Sequence, residues 1–295
     1  LKSKYHTFLL QFVPIRQAFD ISNHDYCIFT MTKETSRTIR GRVAAMASSF
    51  GRYLLVTALL SNALAATAAE SPVPYRIVSG DLRPFAADNH PAAPGMLVEL
   101  VEQMASRAQH PVKVEFFPWA RAVGIALGEP RCAVLPLTRT PEREAKFQWL
   151  VKLYQQRFAF ITPAAKRSVN NLNDARQLKI VVLRGSPNVA QLLNHQISAA
   201  NIVEESSVEM MLKDLDTGIV DAIYGGDVIN METVRSSGRK TQDYYVGMML
   251  ESGDIWLASS GGFTRSEIDA LQDAYNTLKK DGTYNRLLKK YGISE

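Results

Sequence analysis

The sequence predicts an α/β fold of two lobes with mainly parallel sheets, joined by a hinge. Three observations carry this. Segments with a two-residue apolar alternation and segments with a helical period follow one another, as strands covered by helices do. That alternation runs twice, and a strand and a long helix then close the chain, as when a chain crosses to a second lobe and returns. After the first 69 residues about 226 remain, enough for two lobes of roughly a hundred each.

The elements follow in order. Tyr75–Ser79 reads as a first strand, stopped by Gly80 and the turn at Arg83-Pro84. Beyond Gly95, Leu97, Leu100, Val101 and Met104 recur at helical spacing, so Met96–Met104 is a helix. Val112–Phe116 alternates as a second strand, Trp119–Leu127 is a helix, and Ala133–Leu137 is a buried apolar strand. Phe158–Thr162 is a strand ending at Pro163. The second run begins with strand Lys179–Leu183, a turn at Arg184–Asn188 and a helix over Val189–His195. Ile202–Glu205 is a short strand, Met210, Met211 and Leu215 mark a helix, and Ile219–Tyr224 is the next strand. Ile255–Ala258 is a late strand, and Ser266 is placed to cap a helix running to Leu278. Gly282 breaks it, and Tyr284–Tyr291 forms a last turn or two. Two crossing strands near 158–162 and 252–257 would make the hinge.

The N-terminal segment has a different character. Arg37, Arg40, Arg42 and Arg52 precede an apolar run from Tyr53 to Leu60, then small residues through Ala69. That order is a secretory signal peptide, with Ala66-Thr67-Ala68 as the cleavage site; a single uncleaved anchor is the alternative. The expected division is therefore 1–45 upstream segment or cytoplasmic extension, 46–69 signal peptide, and 70–160 first lobe. Residues 161–253 form the second lobe and 254–295 return to the first. The formal charge of +5 belongs to the N-terminal part, since residues 1–69 hold eight basic and three acidic side chains. The remainder is balanced, which removes the argument for nucleic acid. Cys132 is then the lone cysteine, so no disulfide can form, and its apolar strand marks it as a small buried residue.

Enzyme and metal signatures are missing from the pattern. His90, His110 and His195 are not spaced with one another or with a Cys for metal, and no Gly-x-Ser-x-Gly elbow occurs. Arg143 stands out instead. It follows the buried strand in Thr140-Pro141-Glu142-Arg143-Glu144-Ala145-Lys146-Phe147-Gln148-Trp149. A guanidinium at the lip of a sheet matches a carboxylate in geometry and charge. On spacing alone, a surface arginine in a charged turn is the favoured reading.

That Thr-x-x-Arg-x-x-x-Phe-x-Trp segment resembles the carboxylate-binding turn of periplasmic amino-acid-binding proteins, the bacterial extracellular solute-binding family 3. Trp119, Gly128, Cys132-Ala133, Thr138 and Arg143 extend the likeness, with Cys132 where the family usually has Asp. So do Arg184-Gly185-Ser186-Pro187-Asn188, Asp221-Ala222-Ile223-Tyr224-Gly225-Gly226-Asp227, Asp281-Gly282-Thr283 and Lys290-Tyr291-Gly292. The resemblance implies a type II two-lobe periplasmic binding fold. It implies that Arg143 holds a ligand carboxylate with help from Thr138, and that Trp119 and Phe85 wall the ligand. Simple core packing is the other reading of both aromatics. Ser186 would meet the ligand from the second lobe, or cap the helix behind it. Asp227 would pair with a ligand ammonium, although it falls one residue late and Gly226 stands at the expected position.

The resulting expectation is a monomeric periplasmic protein that binds an amino acid or related carboxylate for the membrane permease of an ABC transporter. It uses no cofactor and no metal. Two alternatives stay open: a cyclohexadienyl dehydratase-like enzyme, with Asp227, Asp81 or Glu99 as general acid, and a solute-sensing module.

Overall fold

The computed structural model describes residues 74–166 and 168–294. The expected upstream segment and signal peptide, residues 1–69, lie outside the described residues. Among the described residues, no helix is long and apolar enough to cross a membrane.

The first lobe starts with β1 (Tyr75–Ser79), α1 (Met96–Arg107), β2 (Val112–Phe116), α2 (Trp119–Gly128) and β3 (Cys132–Thr138). β1 lies between β2 and β3 and is parallel to both, as expected where helices make the crossovers. Leu97, Leu100, Val101 and Met104 of α1 are all buried, which confirms the face its period predicts. β3 is buried along its whole length, and Cys132 sits there as a free buried thiol.

β4 (Gln148–Pro163) crosses into the second lobe, which contains α3 (Leu172–Arg176), β5 (Ile180–Leu183), α4 (Asn188–Asn194), β6 (Ile202–Glu205) and α5 (Val208–Asp216). It continues through β7 (Ala222–Gly226) and α6 (Asp227–Ser236), and β8 (Tyr244–Ser259) brings the chain back. β5 lies between β6 and β7 and is parallel to both. The chain ends with α7 (Arg265–Lys280) and α8 (Thr283–Lys290).

The hydrogen-bonded order is β2-β1-β3-β8-β4-β7-β5-β6. Parallel strands thus form the two ends of the sheet, and the antiparallel pair β4 and β8 joins them. This pair extends from Gln148↔Ser259 to Pro163↔Tyr244. Each strand has 16 residues, a span of about 50 Å at roughly 3.3 Å per residue. Register shifts at Trp149/Val151, Lys152/Tyr154 and on either side of Ala159 break the ladder, and such bulges let a ribbon bend and twist. The crossing strands are therefore much longer than the sequence pattern implied. Their middles alternate exposed Lys152, Gln155 and Arg157 with buried Leu153, Gln156 and Phe158, so the apolar run was too broken to read.

Two further corrections concern helices. The cap of α7 is Thr264, whose hydroxyl accepts from the Glu267 N–H at 3.2 Å while Glu267 accepts from the Thr264 N–H at 2.8 Å. Ser266 lies inside the first turn. α6 had no sequence-based expectation, because its apolar residues make only a weak stripe.

Candidate functional site

The carboxyl ends of the parallel strands in both lobes converge on one cleft, the usual ligand position in open α/β sheets. After β1 comes Leu82, after β2 Trp119, and β3 contributes Pro136 and Thr138. Ser186, Pro187 and Asn188 follow β5, Val208 and Met211 follow β6, and Gly225, Gly226, Ile229 and Asn230 come from β7 and α6. Gln156 and Phe158 of β4, Leu183 of β5 and Ile255 of β8 complete the wall. The cavity measures about 50 Å³ and opens partly to solvent. An outer cavity adjoins it at Leu82, Trp119, Leu183 and Val208, and carries Asp81 and Asp88.

The inner wall is apolar, with amides and hydroxyls as its polar groups, and none of its side chains is charged. Thr138 and Ser186 both line the cavity, one from each lobe. Ser186 Oγ also accepts from the Asn188 N–H at 3.3 Å, so it shapes the start of α4 as well.

Arg143 stands behind this wall, in a tight turn opened by Pro141. Its Nη1 donates to the Thr138 carbonyl at 2.9 Å and its Nη2 to the Gly185 carbonyl at 2.8 Å. No carboxylate among the described residues pairs with it. Burial of the charge pushes its pKa down to about 10, and Glu142 offsets this in part. The neighbouring arginine is engaged differently, since Arg139 pairs with Glu144 at 2.8 Å and lies over the rings of Trp149 and Trp256.

Gly185 ties the lobes together. Its carbonyl accepts from Arg143 and also from Trp119 Nε1 at 3.2 Å, both first-lobe donors. Its φ of +79° favours glycine, and a Cβ there would lie 2.9 Å from both Cα and Cβ of Ala120.

Two expected ligand contacts are placed differently. Phe85 is in the core, 0 % exposed, tilted against the ring of Tyr154 at 5.0 Å. It backs the lobe and is not on the cavity wall. Asp227 is buried at the start of α6 and lies off the cavity wall. Its Oδ2 accepts from Arg157 Nε at 2.9 Å and Nη2 at 2.7 Å, and its Oδ1 from the Val228 N–H at 2.7 Å. The position facing the cleft is Gly226, and the space a side chain would fill there holds the Gln156 amide: a Cβ on Gly226 would lie 1.5 Å from Gln156 Nε2.

The three polar side chains of the wall that the sequence reading missed are Gln156, Asn188 and Asn230, each at most 3 % exposed. Asn188 stood in the quoted turn, but nothing local marked the other two. The remaining proposed acids are engaged: Asp81 with Arg83 at 3.1 Å, and Glu99 with Lys290 and with the Tyr291 hydroxyl at 2.7 Å. His195, without an acidic neighbour in sequence, meets Glu251 of β8 at 3.1 Å. No group of three or more His, Cys, Asp or Glu among the described residues could hold a metal ion.

A two-lobe α/β protein with a cleft between lobes and a two-strand hinge is a solute-binding fold. The chain belongs to the bacterial extracellular solute-binding proteins, family 3, whose family model matches residues 76–294. Among solved structures it is similar to an amino acid ABC transporter substrate-binding protein from Streptococcus pneumoniae bound to L-arginine. The identity is 17 %, the TM-score 0.63, and the match covers 75 % of this chain and 96 % of that one. It is also similar to a mutant of ArgBP from T. maritima, at 16 % identity and a TM-score of 0.64, covering 74 % and 94 %. The GluR0 ligand-binding core from Nostoc punctiforme, in complex with L-glutamate, matches at 19 % and 0.63, covering 74 % and 99 %. At these identities the likeness carries the fold. No curated protein matches the chain in sequence.

Proposed function

We propose that this protein captures a small carboxylate-bearing solute in the interlobe cleft and delivers it to the membrane permease of an ABC transporter. It works in the periplasm as a monomer, once the segment ending near Ala69 is removed. The lobes divide at 160/161 and 253/254, inside the long strands, and the ribbon they form acts as the hinge.

The observation that carries this reading is Arg143. A desolvated guanidinium with carbonyl partners and no carboxylate has lost hydration without gaining a counter-charge, an arrangement that an incoming anion relieves. A carboxylate would take the donors now shared with Gly185, close to Thr138 and Ser186, which approach from the two lobes. Groups from both lobes would then hold one ligand, and binding would shift the equilibrium toward the closed form. Asp81, Glu99 and Asp227 are all tied to cations, which favours a carrier over an acid catalyst.

Thermal unfolding with amino acids and their deaminated relatives tests this. A ligand at 100 times its dissociation constant adds about 2.7 kcal/mol, roughly 5–10 °C at this size. The shift should vanish in Arg143→Ala and return in part in Arg143→Lys. A carboxylate that shifts Arg143→Ala as much as the unaltered protein refutes the clamp.

A further inference from the structure

The inner cavity presents three buried amides and no charge. Gln156 occupies the space in front of Gly226, where an acidic side chain would have to project to face the cleft. The nearest acid in sequence, Asp227, is turned away and neutralised by Arg157. Beyond it, Asp81 and Asp88 line the outer cavity, and Asp81 is already paired with Arg83.

Asn188 and Asn230 make the pattern more specific. Asn188 Nδ2 donates to the Tyr224 carbonyl at 3.1 Å, which fixes the amide and leaves its Oδ1 without a partner. Asn230 Nδ2 is likewise buried and unpartnered. Both amides gather over Gly225, where a Cβ would come within 2.9 Å of Asn230 Nδ2 and 3.2 Å of Asn188 Nδ2. Both residues line the cavity, and buried polar atoms without partners are rare and costly, so an unsatisfied acceptor and an unsatisfied donor beside Gly225 give this wall polar capacity for a ligand.

We infer that this cavity selects a small carboxylate whose second polar group is neutral, a hydroxyl or a carboxamide, and discriminates against the same acid bearing an ammonium there. The inference rests on the carboxylate reading of Arg143. A hydroxyl donates to Asn188 Oδ1 and accepts from Asn230 Nδ2, and a carboxamide can do the same with its two ends. An ammonium satisfies the acceptor, but it has no lone pair for the Asn230 N–H. It would also sit in an apolar cavity without a carboxylate to balance it. The family-wide expectation of an amino acid narrows here to acids that lack the charged amine.

Matched pairs sharing one carbon skeleton provide the test. Dissociation constants for residues 70–295 and for the full chain are measured by calorimetry with L-lactate and L-alanine, L-2-hydroxyisocaproate and L-leucine, L-phenyllactate and L-phenylalanine, and succinamate and L-asparagine. The hydroxy or carbamoyl member should bind at least tenfold more tightly in at least one pair, with no pair reversed. Gln156→Ala combined with Gly226→Asp should reverse the preference in the binding pair. An amino acid binding as tightly as its neutral partner overturns the inference and leaves the Arg143 clamp standing. Silence of all eight acids overturns the carboxylate reading and this inference with it. If the double variant does not fold, the unaltered protein alone decides.

Discussion

Replacing Gly185 with alanine should separate two costs that the structure places at one residue. The first is conformational: φ is +79°, and a non-glycine residue held in the left-handed region loses about 1–2 kcal/mol. Gly185 belongs to the turn after β5, so this cost falls on the second lobe whether or not the cleft is closed. It should lower Tm by roughly 2–8 °C for a protein of this size. The second cost is steric. The new Cβ would lie 2.9 Å from Ala120 Cα and Cβ across the cleft, closer than real contacts of this kind. Overpacking of that sort costs about 1–3 kcal/mol, and it arises only when the lobes meet. It therefore acts on closure, and predicts a roughly 5- to 150-fold loss of affinity for the tightest-binding acid, at about 1.4 kcal/mol per tenfold. Calorimetry reads the affinity and thermal unfolding without ligand reads the strain. Ala120→Gly in the same chain removes the Cβ half of the overlap and should restore part of the affinity while leaving Tm low. Unchanged affinity in Gly185→Ala would refute the idea that the Gly185 turn and the α2 N-terminus close on one another during binding.

Two further expectations concern the helix that returns the chain to the first lobe. Loss of the Thr264 hydroxyl in Thr264→Ala removes the cap of α7 and should destabilise by about 1 kcal/mol, or roughly 2–4 °C in Tm. An unchanged Tm would mean the capping box contributes nothing. Glu267 of the same box is held at a pKa of about 2, below its usual value near 4.5, chiefly by its hydrogen bond to Arg131 and also by Thr264. A depressed carboxylate pKa stabilises the fold above the unfolded value, so this contribution is complete at neutral pH. It is lost as pH falls from about 4.5 toward 2. Thermal unfolding followed between about pH 6 and 2.5 should show a shallower acid decline in Glu267→Gln than in the unaltered protein, and parallel curves would rule this linkage out.

What was legible in the sequence was local. The α1 face Leu97, Leu100, Val101 and Met104, the β1 and β2 strands and the buried strand before Arg143 depend on periodicity and on nearby breakers, and each formed where it was read. Membership in the solute-binding family was legible for the same reason, since its motifs are short turns at strand ends. What failed depended on partners far along the chain. Phe85 is in the core because Tyr154, 69 residues on, packs against it. The amphipathic middles of β4 and β8 became one long ribbon only because each satisfies the other's backbone.

The polar groups of the cleft show the same limit most clearly. An aspartate beside two glycines looks the same in sequence whether it faces a ligand or an internal cation. Arg157, on a strand 70 residues earlier, turned Asp227 away and left the facing position to Gly226 and the amide of Gln156. Sequence by itself determined the elements, the family and the arginine at the strand end, because those rest on short-range geometry. The tertiary structure alone decided which polar atoms lie unpaired in the cavity. Pairing in a buried site depends on groups the fold brings together from β4, α4 and α6, and no local pattern encodes that meeting.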